Sequence, residues 1–154
     1  MKLRVAGTTG SSMVNGEGIR FVIFTQGCEH YCTECHNTHT WDPKGGHEIE
    51  IDELVKDALV NRELLDGVTI SGGEPLLQYK STLELAKKLS EHGLSIWLWT
   101  GYLMEEVRGK YPDILDYVDV IIDGRYMHTL PKLEWRGSSN QNIWKKKNKK
   151  WVKE

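Results

Sequence analysis

The chain has three cysteines, and all of them fall within eight residues: Cys28, Cys32 and Cys35, spaced C-x3-C-x2-C, with His36 and Asn37 next. An odd trio cannot pair off into disulfides. Thiolates this crowded repel one another unless a cation sits among them, so a metal centre is the natural occupant. Three thiolates on a four-coordinate preference leave one position for an outside molecule. An iron–sulfur cluster suits the spacing best. Structural zinc stays open, completed by His30, His36 or His39, although zinc ligands usually come as two pairs separated by an intervening fold. A redox pair at Cys32 and Cys35 is a third option, and it would leave Cys28 idle.

A second constellation is Ile70-Ser71-Gly72-Gly73-Glu74-Pro75. Two glycines straight after a strand let a ligand approach the backbone closely. Glu74 adds an acceptor for a positively charged or amino group. A turn of this kind is often only structural, so its weight comes from its company.

The elements that must carry these residues can be read from periodicity. Residues 20–26, Arg-Phe-Val-Ile-Phe-Thr-Gln, are aromatic and β-branched and end at Gly27, which reads as a strand delivering the cysteine loop. Residues 67–71, 95–100 and 118–122 read as three further buried strands. Between them, residues 51–65 place Leu54, Val55, Ala58 and Leu59 at helical spacing, with Asp52 and Glu53 in the first turn. Leu83, Leu85, Ala86 and Leu89 mark a second helix closed by Gly93, and residues 103–110 a short third.

Strands alternating with helices predict an α/β fold with a mostly parallel sheet. Sites in such folds lie at strand C-termini. The turns Gly27-Cys28, Ser71-Gly72-Gly73-Glu74, Thr100-Gly101-Tyr102 and Asp123-Gly124-Arg125 are therefore expected to line one face. A full (β/α)8 barrel needs about 250 residues, so 154 residues predict an open, partial barrel in one domain spanning 1–154.

The composition, 39% hydrophobic and 27% charged, is that of an ordinary globular protein. No apolar run approaches the roughly 20 residues needed to cross a bilayer, and residues 1–5 lack the apolar core of a secretion signal. Clustered thiols then point to a reducing cytoplasm. Six lysines against one glutamate in residues 145–154 give that stretch +5, so the net −2 leaves −7 on the rest. The tail from about 144 reads as a solvated, frayed terminus. The alternatives are an arm that docks on an acidic protein surface or, less favoured, one that binds nucleic acid. Trp97 and Trp99 share a side-chain direction on one strand and read as core. Trp41 follows the cysteine loop, where it would shield a metal centre from water.

The cysteine loop on a first strand-end turn, with Ser71-Gly72-Gly73-Glu74 on a later one, resembles the radical S-adenosylmethionine superfamily. Cys35-His36-Asn37 followed by Thr40-Trp41-Asp42 and Gly45-Gly46 is similar to its glycyl-radical-enzyme activating group. Thr100-Gly101-Tyr102, Asp123-Gly124-Arg125-Tyr126 and residues 136–141, Arg-Gly-Ser-Ser-Asn-Gln, resemble the family that activates anaerobic (class III) ribonucleoside-triphosphate reductases. The likeness runs from Gly16 to Gln141.

The resemblance implies that Cys28, Cys32 and Cys35 hold a [4Fe–4S] cluster whose fourth iron is chelated by the methionyl amino and carboxylate groups of S-adenosylmethionine. Ser71, Gly72, Gly73 and Glu74 would hold that cofactor from one side, and the backbone of Glu34, Cys35, His36 and Asn37 from the other. It implies a 5′-deoxyadenosyl radical that takes hydrogen from a glycine of the reductase. It further implies an external electron donor such as flavodoxin or ferredoxin, and no catalytic side chains beyond the cluster and cofactor. Two departures matter. Glu34 stands where many relatives have an aromatic residue, and the lack of further cysteines excludes a second cluster.

Overall fold

Alternation of side chains sorts the sheet into two unlike faces. The computed structural model describes residues 1–30, 32 and 38–154. Its strands are β1 (Lys2–Ser12), β2 (Arg20–Thr25), β3 (His47–Glu50), β4 (Gly67–Gly72), β5 (Ser95–Trp99), β6 (Val120–Asp123), β7 (Asn142–Lys147) and β8 (Lys150–Lys153). They form one sheet in the order β3-β1-β2-β4-β5-β6-β7-β8. The centre, β2-β4-β5-β6, is parallel. Both flanks, β3-β1-β2 and β6-β7-β8, pair antiparallel. The expectation of a mostly parallel sheet is thus corrected, since the antiparallel edges are as extensive as the parallel centre.

Three helices connect the central strands: α1 (Ile51–Leu59), α2 (Tyr79–Glu91) and α3 (Met104–Lys110). Their apolar faces meet every second strand residue: Phe21 and Ile23, Val68 and Ile70, Ile96 and Leu98, and Ile121. Period-two alternation turns the intervening residues the other way. That second face carries Arg20, Thr69, Trp97, Trp99, Val120 and Ile122. Trp97, Val120, Ile122 and Ile143 form a separate buried cluster there, with Trp99 and Trp135 against it.

α1 stops at Leu59 rather than continuing to 65. Its last buried residue is Ala58, and Val60 and Leu64 are both 70% exposed, so no burial holds a further turn. α2 ends as expected, with His92 as its C-cap and Gly93 at a φ of 75° that a side chain rarely adopts.

The basic tail is not frayed. Strands β7 and β8 form a hairpin whose turn, Asn148-Lys149, has φ of 51° and 66°. The Trp144 indole donates to Asp123 Oδ2 at 3.2 Å, and the ring lies under Arg108 and Lys153. Trp151 lies under Lys146. Both tryptophans pack against the main core. The hairpin holds because its rings are half-buried against the body, while the lysines guard the free edge of β8.

Candidate active site

Four strand ends converge on one pocket. Its lining includes Cys28 from the turn after β2, Ser71, Gly72 and Gly73 at the end of β4, Thr100 and Gly101 after β5, and Gly124 and Arg125 after β6. Cys32, His30 and Trp41 line it as well, and the far wall comes from residues 125–141. The cavity measures about 280 Å3, at the lower end of the range for small-molecule sites. The four turns expected to share a face do share it.

The glycines have a reason in the chain's own packing. A Cβ on Gly73 would stand 2.4 Å from the Gly27 carbonyl oxygen and 2.9 Å from that of Thr40. Gly72 has φ of 109°, and its Cβ would fall 2.3 Å from the Thr25 nitrogen. The two glycines thus let the turn after β4 press against the base of the cysteine loop. Gly73 donates to Thr25 O at 2.9 Å and Glu74 N to Gly27 O at 2.8 Å. Gly27 donates to Thr40 O at 2.5 Å and Cys28 to Trp41 O at 3.2 Å, so the loop's base is held from both sides.

Glu74 is 1% exposed, and its carboxylate faces donors of its own chain. Thr100 Oγ1 lies 2.9 Å from both oxygens, the Gly101 amide donates at 2.7 Å and the Leu76 amide at 2.9 Å. His30 Nε2 adds a fifth contact at 2.7 Å. Sequence reading assigned Glu74 an outside amino group as partner. Within the chain its partners are the Leu76 amide two residues on and Thr100, Gly101 and His30 at 26, 27 and 44 positions away, and nothing local signals the distant three.

Asp123, also buried, accepts from Met104 N at 2.9 Å at the start of α3 and from Asn142 N at 3.0 Å at the start of β7. In the 136–141 stretch, Gln141 Nε2 donates to Gly124 O and Asn140 Nδ2 to Arg125 O, knitting the far wall to the end of β6. Trp135 holds φ of 62°, a conformation costly for a bulky side chain, and is clamped by the Trp99 indole donating to its carbonyl at 3.1 Å.

The far wall is cationic. Arg125, Lys132 and Arg136 line the pocket, and no Asp or Glu lines it among the described residues. Arg136 Nε is buried with no hydrogen-bond partner among the described residues. A buried donor left unmatched is expensive, and an anionic group in the pocket would match it. Under the pocket, at the opposite strand ends, Arg20 is 2% exposed and donates to Thr69 Oγ1, Glu17 O, Val68 O and Ser95 O. Burial pulls its pKa down to about 10 against the opposing pull of Asp66, Asp119 and Glu17.

Cys28 is buried and Cys32 half-buried at the same pocket. Of the remaining sequence-predicted site residues, Ser71, Gly72 and Gly73 line it and Glu74 lies beneath it. Glu34, Cys35, His36 and Asn37 lie outside the described residues. Sequence reading weighed His30 only as a zinc ligand and missed its bond to Glu74, and it missed Lys132 and Trp135 as part of the wall.

Fold and site together define a class: a mixed α/β protein with thiols and glycine turns gathered at the carboxyl ends of its parallel strands. The crystal structure of QueE from Escherichia coli has the same fold over part of the chain, with a TM-score of 0.50 at 22% identity, covering 66% of this chain and 53% of that one. Residues 14–144 match the family model described as "4Fe-4S single cluster domain". Anaerobic ribonucleoside-triphosphate reductase-activating proteins are similar over nearly the whole length. That of Enterobacteria phage T4 is 39% identical over 144 residues, 90% of this chain and 91% of the relative. Those of Vibrio cholerae and Escherichia coli K12 are 37% and 35% identical, each over 85% of this chain and 90% and 91% of the relative. The chain belongs to this family of 4Fe–4S activating proteins. No helix among the described residues is long and apolar enough to cross a membrane.

Proposed function

We propose that this chain is a radical S-adenosylmethionine activase that generates a glycyl radical on an anaerobic ribonucleoside-triphosphate reductase. The observation that carries this reading is the meeting of Cys28 and Cys32 with the Ser71-Gly72-Gly73 turn around one pocket. The chain is 35–39% identical to proteins named for activating that reductase.

The residues fit the two groups the reading requires. Cys28, Cys32 and Cys35 would hold a [4Fe–4S] cluster, thiolate being the ligand such clusters take. S-adenosylmethionine carries positive charge on its sulfonium and amino groups and negative charge on its carboxylate. The pocket offers thiolates on one wall and Arg125, Lys132 and Arg136 on the other, which is complementary to that distribution. The buried, unmatched Arg136 Nε suits the carboxylate. When bound, the pair supplies one-electron cleavage of the sulfonium and a 5′-deoxyadenosyl radical for hydrogen abstraction from a glycine.

The chain's own part is position and exclusion. Ser71, Gly72 and Gly73 present backbone to the cofactor while Glu74, locked beneath, holds the turn rigid. The backbone of residues 34–37, with His36, is the proposed second side of the cofactor site. Trp41 and Trp99, both lining the pocket, keep water from the reacting centre.

An open partial barrel is the architecture this reading needs. Two features support it: all three helices cover one face, and the parallel strands succeed one another without reversing direction. A doubly wound sheet would reverse and carry helices on both faces. The whole chain would act as one domain in a reducing cytoplasm, with the reductase as protein substrate and flavodoxin or ferredoxin as external electron donor.

Anaerobic reconstitution with iron and sulfide tests the reading. The reduced protein should change its electron paramagnetic resonance spectrum on adding S-adenosylmethionine and release 5′-deoxyadenosine. Mixing with the reductase should then give a glycyl signal. Zinc without iron or sulfide in anaerobically purified protein would overturn it.

A further inference from the structure

One buried contact has no part in the function proposed so far. His30 lies two residues from Cys28 and two from Cys32, and its side chain is 6% exposed. Its Nε2 donates to Glu74 Oε1 at 2.7 Å. The ring meets Tyr102 edge-on at 4.8 Å between centroids. It also fills the space beside Gly101, where a Cβ would come within 2.5 Å of the ring. The turns after β4 and β5 therefore both meet the imidazole that the turn after β2 carries.

We infer that His30 is a positioning residue that pins the middle of the cysteine loop to Glu74 and so sets where the thiolates stand relative to the Gly72-Gly73 turn. The anchor is rigid before the histidine arrives. Thr100 and the amides of Gly101 and Leu76 already fix both carboxylate oxygens. A fixed acceptor transmits its position to whatever bonds it, and groups one step removed from a metal ligand hold that ligand in place in this way. A bond at residue 30 constrains both flanking thiols. The aim of Nε2 also separates this role from ordinary packing. An apolar ring would fill the space beside Gly101 and Tyr102 equally well, yet the atom that faces Glu74 is a donor.

The inference rests on the function proposed above, and two variants test it. His30→Gln keeps a donor near the Nε2 position and gives up the ring. His30→Phe keeps the ring and gives up the donor. Each is reconstituted anaerobically, its iron content is measured, and the spectral change of the reduced cluster is titrated with S-adenosylmethionine. His30→Gln should reach half-saturation within about threefold of the parent concentration. His30→Phe should need about tenfold more, the lower end of what loss of such a supporting group costs.

His30→Phe titrating like the parent, or His30→Gln as impaired as His30→Phe, overturns the inference. If His30→Phe does not fold, Thr100→Val removes the hydroxyl that holds both Glu74 oxygens, and an unchanged half-saturation there overturns it instead. A parent protein that takes up no iron, or shows no response to S-adenosylmethionine, refutes the proposed function and not this contact.

Discussion

Gly73→Ala separates two reasons for a glycine at the site. If the residue is glycine so that a cofactor can approach, an alanine costs binding and little stability. If it is glycine because the chain packs on itself there, an alanine costs stability first. The distances favour the second. The added Cβ would lie 2.4 Å from Gly27 O, 2.9 Å from Gly27 C and 2.9 Å from Thr40 O, whereas relaxed nonbonded contacts sit near about 3.5 Å. All three atoms are backbone, so no rotamer change relieves the clash. The turn must retreat by about 1 Å, and the bonds Gly73 N to Thr25 O (2.9 Å) and Glu74 N to Gly27 O (2.8 Å) stretch with it. Two such bonds are worth roughly 1–3 kcal/mol together, and overpacking adds about 1–3 kcal/mol. The expected loss is roughly 2–6 kcal/mol, a fall in melting temperature on the order of 10 °C. Gly109→Ala is the control: it lies in α3 with nothing within 4 Å of its added Cβ, so helix propensity should stabilise it by about 0.5–1 kcal/mol. Urea unfolding of the metal-free proteins measures both. A Gly73→Ala protein within about 0.5 kcal/mol of the parent that no longer binds S-adenosylmethionine would refute the packing argument.

Four further outcomes are expected. Arg20→Lys should destabilise by at least about 2 kcal/mol in urea unfolding, because one ammonium cannot serve the five acceptors the guanidinium fork reaches. Tyr102 is pushed well above the ordinary tyrosine pKa of 10.0 by burial, then by its hydrogen bond with Tyr111 and the charges of Glu74 and Glu29. The folded state therefore holds that proton longer than the unfolded one. Its contribution is complete below about pH 10 and is lost as pH rises beyond it, so Tyr102→Phe should flatten the alkaline fall in melting temperature. Arg136→Gln should raise the dissociation constant for S-adenosylmethionine about tenfold, as loss of a charge-assisted bond does, with decarboxylated cofactor binding parent and variant alike. Lys149→Gly should raise stability by about 0.5–1 kcal/mol, since Lys149 holds φ of 66° in the β7–β8 turn.

What could be read from the sequence follows from where its information is local. The four parallel strands announce themselves because burial on both faces leaves near-continuous apolar runs such as Phe21-Val22-Ile23 and Val120-Ile121-Ile122. The edges do not. β1 carries Gly7 and Gly10 within a Gly-Thr-Thr-Gly-Ser-Ser run and breaks register twice against β2, so its pattern dissolves into loop-like composition. β7 and β8 are lysine-rich for the reason that edges usually are, and their turn is Asn-Lys rather than the Asn-Gly that marks a hairpin. A charge count therefore mistakes a structural ribbon for a frayed arm.

The same division runs through the site. Three cysteines in eight residues speak for themselves, since their chemistry is inseparable from their spacing. Glu74 does not, because a carboxylate's meaning lies in its partners, and here those include Thr100 and Gly101 from the end of β5 and His30 from the turn after β2. Read alone, Ser71-Gly72-Gly73-Glu74 offers an acceptor to an unknown cation. Folded, the acceptor is spent on holding the turn, and the glycines are spent on letting that turn reach the cysteine loop. The motif's four residues thus belong to the loop's foundation, and the first three also line the cavity. Glu74→Gln should accordingly misplace the Thr100, Gly101 and His30 contacts together, lowering stability and S-adenosylmethionine affinity in the same variant. A Glu74→Gln protein as stable as the parent in urea, with affinity alone reduced, would return the carboxylate to the role of direct ligand.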